Sequence, residues 1–452
     1  MNILQNDTIA AIATANGEGA IAVIRISGKD SFEIVDRIFS GKTKLSSSAS
    51  HTIHYGKIVD ANKNIIDDVL VSVFKSPNSY TGENSVEIST HGNSLIVKKL
   101  LELLLSQNVR GAEPGEFTKR AFLNGKIDLA QAEAVLDVIK SRSDSALRGA
   151  RNQLDGLLSQ KVSELRTTLI NASSLIELEL DFSEEEFEFL PKPQIIAIIN
   201  KVIAEINSLL ETYRFGRVLH DGINLAIIGE PNVGKSSLLN YILKEARAIV
   251  SDIPGTTRDI IREEISIDGV LFKIFDTAGI RHSLDIIEKE GVQRSFEAIK
   301  NADIVIWLTD ISTEFPKEIE TELVKHTNIN KIIKVVNKID LGLDNSINGE
   351  VYISSKTGKG IDQLFEAMKK HTVGDAVYTE RSTIISNVRH FSGLKKTLEN
   401  LESTKSSIME NMSGEFIAVD LRNAIDSLSE IVGVVTTEDI LNNIFAKFCI
   451  GK

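Results

Sequence analysis

Eight residues, 229-GEPNVGKS-236, constrain this chain more than any others. They follow the apolar run 224-NLAIIG-229 and precede the helical pattern 237-SLLNYIL-243. A G-x-x-x-x-G-K-[ST] loop between a strand and a helix is a phosphate-binding turn of a doubly wound α/β sheet. The glycines let backbone N–H groups of the loop, Asn232 to Ser237, approach phosphate oxygens. Lys235 supplies a charge at the β- and γ-phosphates, and Ser236 offers a hydroxyl to Mg²⁺. The loop calls for a nucleoside triphosphate but is silent on the base.

Four further segments choose the base and complete the site. In 337-NKID-340, Asp340 can accept two hydrogen bonds from guanine N1–H and N2–H₂. Adenine offers no matching pair, so a buried Asp340 would be left unpaired at high cost. Asn337 supports the loop, the stem of Lys338 can lie over the base, and Ser354, Ser355 and Lys356 supply backbone N–H to guanine O6. Thr257, in 251-SDIPGTTRD-259, is expected to cap Mg²⁺ beside the γ-phosphate. In 276-DTAG-279, Asp276 is the Mg²⁺-side carboxylate, Thr277 and Ala278 share its loop, and the Gly279 N–H senses the γ-phosphate. The expected ligand is therefore GTP.

The next residue is Ile280. GTPases of the Ras kind place there a glutamine that orients the attacking water. Isoleucine can neither hold nor polarise water, so the charge of the transition state must be met otherwise. One candidate is a monovalent cation ligated by Asn232 and the loop 251–256; another is a carboxylate from the segment after DTAG, where Glu288 and Glu290 stand.

A chain of 452 residues is too long for one core and is expected to form two to four domains. Alternating runs such as 20-AIAVIRIS-27, 69-VLVSVF-74 and 86-VEIST-90, with the helical 94-SLIVKKLLELLLSQ-107, read as an α+β domain up to about 118. Two apolar stripes then follow a helical period: Leu129, Ala132, Leu136 and Ile139, then Leu154, Leu158, Val162, Leu165 and Leu169. The segment 190-LPKPQ-194 breaks this block. Apolar strands alternate with helices from about 223 to 370, and the stripe Leu421, Ile425, Leu428, Val432 returns to helix. This order predicts one helical domain with an α/β domain inserted into it.

Net charge of −12 disfavours a broad non-specific nucleic-acid binder. The absence of an eighteen-residue apolar run excludes a helical membrane span, and the N-terminus lacks a signal pattern, so a cytoplasmic protein is expected. Cys449 is the only cysteine, which rules out an internal disulfide and a cysteine-rich zinc site. Lying among Ile444, Phe445, Phe448 and Ile450, it reads as packing. His51 and His54 point to opposite strand faces and read as surface histidines. The acidic cluster 177–188 reads as a solvated helix end.

The nucleotide motifs together with 77-PNSYTGENSVEI-88, 114-PGEFTKRAFLNGKIDLAQAEAV-135 and the tail 448-FCIGK-452 resemble the tRNA uridine-modification GTPases of the MnmE (TrmE) family. The resemblance spans the whole chain. It implies an N-terminal α+β domain (1–118) that binds tetrahydrofolate and forms a homodimer. A discontinuous all-α domain (119–215 and 380–452) and an inserted Ras-like G domain (216–379) complete the chain. It further implies a flavoprotein partner of the MnmG (GidA) type carrying the flavin, and a carboxymethylaminomethyl-type group added at carbon 5 of the tRNA wobble uridine. The one-carbon unit would come from a tetrahydrofolate derivative, in the 5-formyl or methylene form. Residue by residue, the family's potassium ligands match Asn232, Ser251, Ile253 and Thr256. Its catalytic glutamate matches Glu288, and its folate contacts match Arg25, Glu87, Lys126 and Lys452. The tail gives Cys449 a role as nucleophile or as part of the folate site. The competing expectation is a regulatory or ribosome-assembly GTPase without folate chemistry.

Overall fold

Alternation of β-branched residues builds the first sheet. The computed structural model describes residues 7–15, 17–181, 191–245, 247–248, 262–275, 299–342, 347, 349–373 and 383–452. They form two compact units, one of residues up to Leu136 with Ser429–Lys452, the other Asp137–Leu428.

In the first unit the strands are β1 Ile9–Ile12, β2 Gly19–Ser27, β3 Phe39–Gly41, β4 Thr52–Val59, β5 Ile65–Phe74, β6 Ser85–Gly92 and β7 Arg110–Gly111. Their order is β3-β4-β5-β6-β2-β1-β7. Neighbours run antiparallel except β1 and β7. On β5 the period-2 pattern buries Val69, Val71 and Val73 and turns Asp68 and Leu70 outward. The helices Ser31–Ile38 and Ser94–Leu105 cover the buried face through Ile34, Val35, Val97, Leu100 and Leu104. The second starts where Asn93 Oδ1 accepts from Leu95 N and Ile96 N, an N-cap on the first turn.

The chain's last residues close this unit. The helix Glu438–Phe445, capped by Thr437, packs Leu441, Ile444 and Phe445, with Phe448 beyond it, on Leu129 and Ala132. The tail then docks on the start of the helix Glu116–Leu123. Gly115 N donates to Cys449 O (3.5 Å) and Phe117 N to Lys452 O (3.2 Å). Gly451 has φ +95°, and a Cβ there would meet Ile12 O at 2.1 Å, so the tail seats only with glycine at this position.

The second unit holds a mixed sheet ordered β14-β13-β12-β8-β11-β10-β9. Its strands are β8 Ile223–Gly229, β9 Arg247–Ala248, β10 Arg262–Ile267, β11 Val270–Phe275, β12 Ile304–Asp310, β13 Ile332–Asn337 and β14 Val351–Tyr352. The five strands from β14 to β11 are parallel; β10 and β9 add an antiparallel edge. Strand β12 is buried at six consecutive positions, as a strand covered on both faces must be. One face packs Leu238, Ile242, Leu364 and Met368, the other Ile299, Ala302 and Leu323.

Long helices flank this sheet in sequence: Leu157–Asp181, Lys192–Glu211, Val388–Met409 and Gly414–Val432. The expected stripe from Leu154 to Leu169 is interrupted, because Asp155 and Gly156 end one helix after Leu154 and Leu157 starts the next. Ile139, expected on an apolar face, is exposed. Chain entry to and exit from the sheet lie together. Ile385 N donates to Thr212 Oγ1 (3.0 Å), Tyr213 stacks on Phe391 at 4.2 Å, and a Cβ on Gly216 would meet Ile385 O at 2.1 Å. Such a neck is what an inserted domain requires.

His220, at the end of the helix leading into β8, is bonded through both ring nitrogens. Its Nε2 donates to Asp137 Oδ1 (3.0 Å) and its Nδ1 to Asp221 Oδ1 (2.7 Å). The bonds to Asp137 and Asp221 outweigh burial and push its pKa from 6.5 up to about 10. A raised folded pKa stabilises fully below the unfolded value of 6.5 and loses that stabilisation as pH rises through about 10. The His220→Gln variant is therefore expected to be less stable than the parent at pH 6 and equal to it above pH 10 in urea titrations. A pH-independent difference would contradict the charged state assigned to His220.

Candidate functional site

The turn after β8 takes backbone conformations that its sequence permits. Gly229, Asn232 and Gly234 have φ of +152°, +67° and +103°. Gly229 is packed so close to Leu308 O that a Cβ would lie 2.2 Å away, and Gly234 abuts the Asn337 amide in the same way. Lys235 Nζ donates to Gly229 O and Glu230 O, both at 2.8 Å, which holds the ammonium within the loop. Val233 is buried, while Asn232, Ser236 and Ser237 are exposed around the start of the helix Lys235–Glu245. That helix end carries a positive partial charge, the ordinary seat of a phosphate.

Asn337 joins the phosphate loop to the base loop. Fully buried, it donates from Nδ2 to Val233 O (2.9 Å) and Ser355 Oγ (3.1 Å), and its Oδ1 accepts from Ser355 N (2.9 Å). One amide therefore fixes three of the sequence-predicted segments against each other. Ser354 Oγ donates to Asp340 Oδ1 (2.7 Å), and that bond holds the Asp340 carboxyl below its ordinary value. Asp340 is exposed, contrary to the buried setting expected for it. Its preference for a base must then come from matched hydrogen bonds, not from the cost of a charge buried without partners.

Lys338 has φ +65°, and its Nζ donates to Asp310 Oδ2 (2.8 Å). Burial alone would raise Asp310, but bonds from Lys338, Ser312 and Thr313 hold its carboxyl far below the usual range. Lys356 is exposed. Ser251, Ile253, Thr256, Thr257, Asp276, Thr277, Ala278, Gly279 and Glu288 lie outside the described residues. Strands β10 and β11 lead from and to those segments. Their hairpin turns at Asp268 and Gly269 (φ +48° and +82°) and is held by the pairs Lys369–Asp268 and Arg142–Glu264.

The four residues expected at a second site sit around the helix Glu116–Leu123 and the loop 77–84. Arg25 and Glu87 face each other across β2 and β6, with Arg25 Nε donating to Glu87 Oε1 (2.9 Å). The Arg25 guanidinium lies over the rings of Tyr80 (5.2 Å to the centroid) and Phe117 (5.6 Å). Lys126 Nζ donates to Pro77 O (3.0 Å), and Lys452 O accepts from Phe117 N. Arg120, nearly fully buried, braces the loop by reaching Glu83, Glu116 and Asp7, while Glu83 accepts from Ser27 Oγ (2.7 Å). Burial would raise Glu116, but Arg110, the Glu113 N–H and Arg120 together hold it below its ordinary value. Tyr80, Phe117 and Arg120 were not among the expected site residues. Tyr80 lies inside the quoted stretch 77–88, yet no local pattern says that it meets a residue 55 positions earlier.

Cys449 is exposed, which corrects the expectation of inert packing, although the neighbours Phe445 and Phe448 are buried. The turn after the helix Glu438–Phe445 leaves it exposed, with its carbonyl accepting from Gly115 N. His51 and His54 contact separate partners, Ser50 and Phe74 for the first, Thr43 and Thr52 for the second. Among the described residues no group of three or more His, Cys, Asp or Glu could hold a metal ion, and no helix is long and apolar enough to cross a membrane.

Comparison with known proteins gives two family matches, the MnmE helical domain over residues 129–449 and the GTP-binding protein TrmE N-terminus over residues 8–126. The chain is similar to the tRNA modification GTPase MnmE of Christiangramia forsetii, 42% identical over 473 aligned positions, covering 99% of this chain and 99% of that one. It is 42% identical to the protein of the same name from Carboxydothermus hydrogenoformans over 463 positions, covering 99% and 100%. With that of Flavobacterium johnsoniae it shares 43% over 469 positions, covering all of both chains.

Proposed function

The chain belongs to the MnmE family, and on that premise we propose that it is the GTP-hydrolysing component of the tRNA wobble-uridine modification complex. It acts in the cytoplasm as a homodimer beside an MnmG-type (GidA) flavoprotein, which carries the flavin, and helps add a carboxymethylaminomethyl-type group to tRNA. We assign 1–118 to the folate-binding and dimerising domain, 119–215 and 380–452 to the helical domain, and 216–379 to the G domain.

In the G domain Lys235 neutralises the β- and γ-phosphates, and the N–H groups of Asn232 to Ser237 hold their oxygens. Ser236 and Thr257 hold Mg²⁺, and Asn232, Ser251, Ile253 and Thr256 hold K⁺. When bound, these ions supply positive charge to the phosphoryl group in flight. Thr277, Ala278 and Gly279 line the γ-phosphate with Asp276, and Glu288 orients the attacking water. Asp340 reads the guanine edge, Lys338 covers the ring, and Ser354, Ser355 and Lys356 meet O6.

In the N-terminal domain Arg25, Glu87, Lys126 and Lys452 hold a tetrahydrofolate derivative, which when bound supplies a one-carbon unit. The residues suit such a ligand. Both terminal nitrogens of Arg25 lack a hydrogen-bond partner among the described residues, and they stand next to a carboxylate that can accept from an amino-pyrimidine edge. Cys449, exposed beside Gly115, is free to act as nucleophile or to line that site.

The observation that carries the nucleotide reading is the Asn337 bridge between phosphate loop and base loop, in a chain whose likeness to its relatives runs end to end. Nucleoside mass spectrometry of tRNA from cells lacking this protein tests the proposal. The wobble modification is expected to disappear, to return with the native chain, and to stay absent with Lys235→Ala. Unchanged modification in the deletion strain would refute it.

A further inference from the structure

Three side chains hold Arg25 in place. Its guanidinium lies over the rings of Tyr80 (5.2 Å to the centroid) and the fully buried Phe117 (5.6 Å), and its Nε donates to Glu87 Oε1 (2.9 Å). Phe117 and Glu87 belong to a helix and a strand that the fold fixes. Tyr80 stands on the loop between β5 and β6 and is 38% exposed, so core packing does not explain its place. Its hydroxyl is tied to Thr118 Oγ1 at 2.9 Å, and Thr118 is fully buried on the same helix as Phe117. The loop is anchored besides by Asn124 Nδ2 to Thr81 O (2.7 Å), Ser79 Oγ to Glu83 O (2.5 Å) and Lys126 Nζ to Pro77 O (3.0 Å).

We propose that Tyr80 is a positioning residue of the folate-type site: pinned through its hydroxyl to Thr118, its ring holds Arg25 against Phe117 and aims the two unpaired guanidinium nitrogens at a ligand carboxylate. This rests on the folate reading of the site given above. An arginine free to rotate loses conformational freedom when it clamps a ligand. One held against two rings has lost that freedom on folding, so less is lost on binding. The aromatic faces also favour the cation without using any of its N–H donors.

Calorimetric titration of the full-length protein with 5-formyl-tetrahydrofolate tests the proposal. Tyr80→Ala is expected to weaken binding about tenfold, and Tyr80→Phe and Thr118→Val about threefold each. In an Arg25→Ala background, Tyr80→Ala is expected to cost nothing further, because the side chain it positions is gone. GTP turnover of Tyr80→Ala should stay at the parent value, with a modest fall in melting temperature from the lost Thr118 bond; if that variant does not fold, Tyr80→Phe and Thr118→Val decide alone. Native affinity in Tyr80→Ala, or a full tenfold loss on top of Arg25→Ala, would overturn the positioning role while leaving the folate site intact. No binding by the native protein would remove the folate reading, and the role of Tyr80 with it.

Discussion

Exchanging K⁺ for Na⁺ at constant ionic strength is expected to lower GTP turnover by roughly 10³-fold, the lower end of what an arginine finger supplies. The reason begins at Ile280, which leaves the γ-phosphate without the glutamine of Ras-type sites. Among the described residues of the phosphate loop the only cationic side chain is Lys235, and its ammonium is held by Gly229 O and Glu230 O. Asn232, three residues earlier in the loop, has φ +67° and an exposed side chain, free to ligate an ion with its carbonyl oxygen. K⁺ and Na⁺ differ in radius, so a site shaped for one holds the other badly, as coordination by a fixed oxygen set generally requires. The Asn232→Ala variant is accordingly expected to turn over in K⁺ at the native Na⁺ rate. Its affinity for a non-hydrolysable GTP analogue should change only a few-fold, because the loop N–H groups and Lys235 remain. Steady-state phosphate release in the two salts measures this directly, and equal native rates would contradict it.

The second large effect is expected at Glu288. Its replacement by alanine should lower kcat by roughly 10²–10⁴, the usual contribution of a group that orients or deprotonates the attacking nucleophile. KM should stay within a few-fold, since the carboxylate acts on water and not on the bound nucleotide. Glu288→Gln keeps the hydrogen bond and loses the charge, so it is expected to retain part of the rate. Glu290→Ala serves as the comparison two residues away and should be near native. A loss at Glu290 with none at Glu288 would reverse the assignment. Single-turnover hydrolysis separates these outcomes from any effect on product release.

What could be read from the sequence was what is local. The strands 223–229, 304–310 and 332–337 announce themselves as apolar runs bounded by turn residues, because a doubly covered parallel strand has no polar face. The phosphate loop is legible because its glycines serve backbone geometry within eight residues. The insertion was legible as a change from helical to strand-and-helix patterning, and the neck at Thr212, Gly216 and Ile385 shows how it closes.

Contacts between distant segments were not legible. Tyr80 over Arg25, Arg120 reaching Asp7 and Glu83, and the tail seated on Gly115 and Phe117 depend on how distant segments meet in the fold, which no short-range spacing encodes. Apolar neighbours misled the reading of Cys449, since a short turn after a helix exposes residues regardless of the company they keep in sequence. The same limit applied to Asp340, whose exposure depends on the turn Lys338–Leu341 and not on its motif.

The central claim is that an alkali-metal ion at Asn232 takes the place of an arginine finger. Crystals of the protein with GDP, aluminium fluoride and Rb⁺ in place of K⁺ test it most directly. An anomalous scattering peak in bonding contact with the Asn232 carbonyl oxygen and the phosphate mimic is the predicted result. A lysine or arginine side chain at that position, with no anomalous peak, would contradict the account.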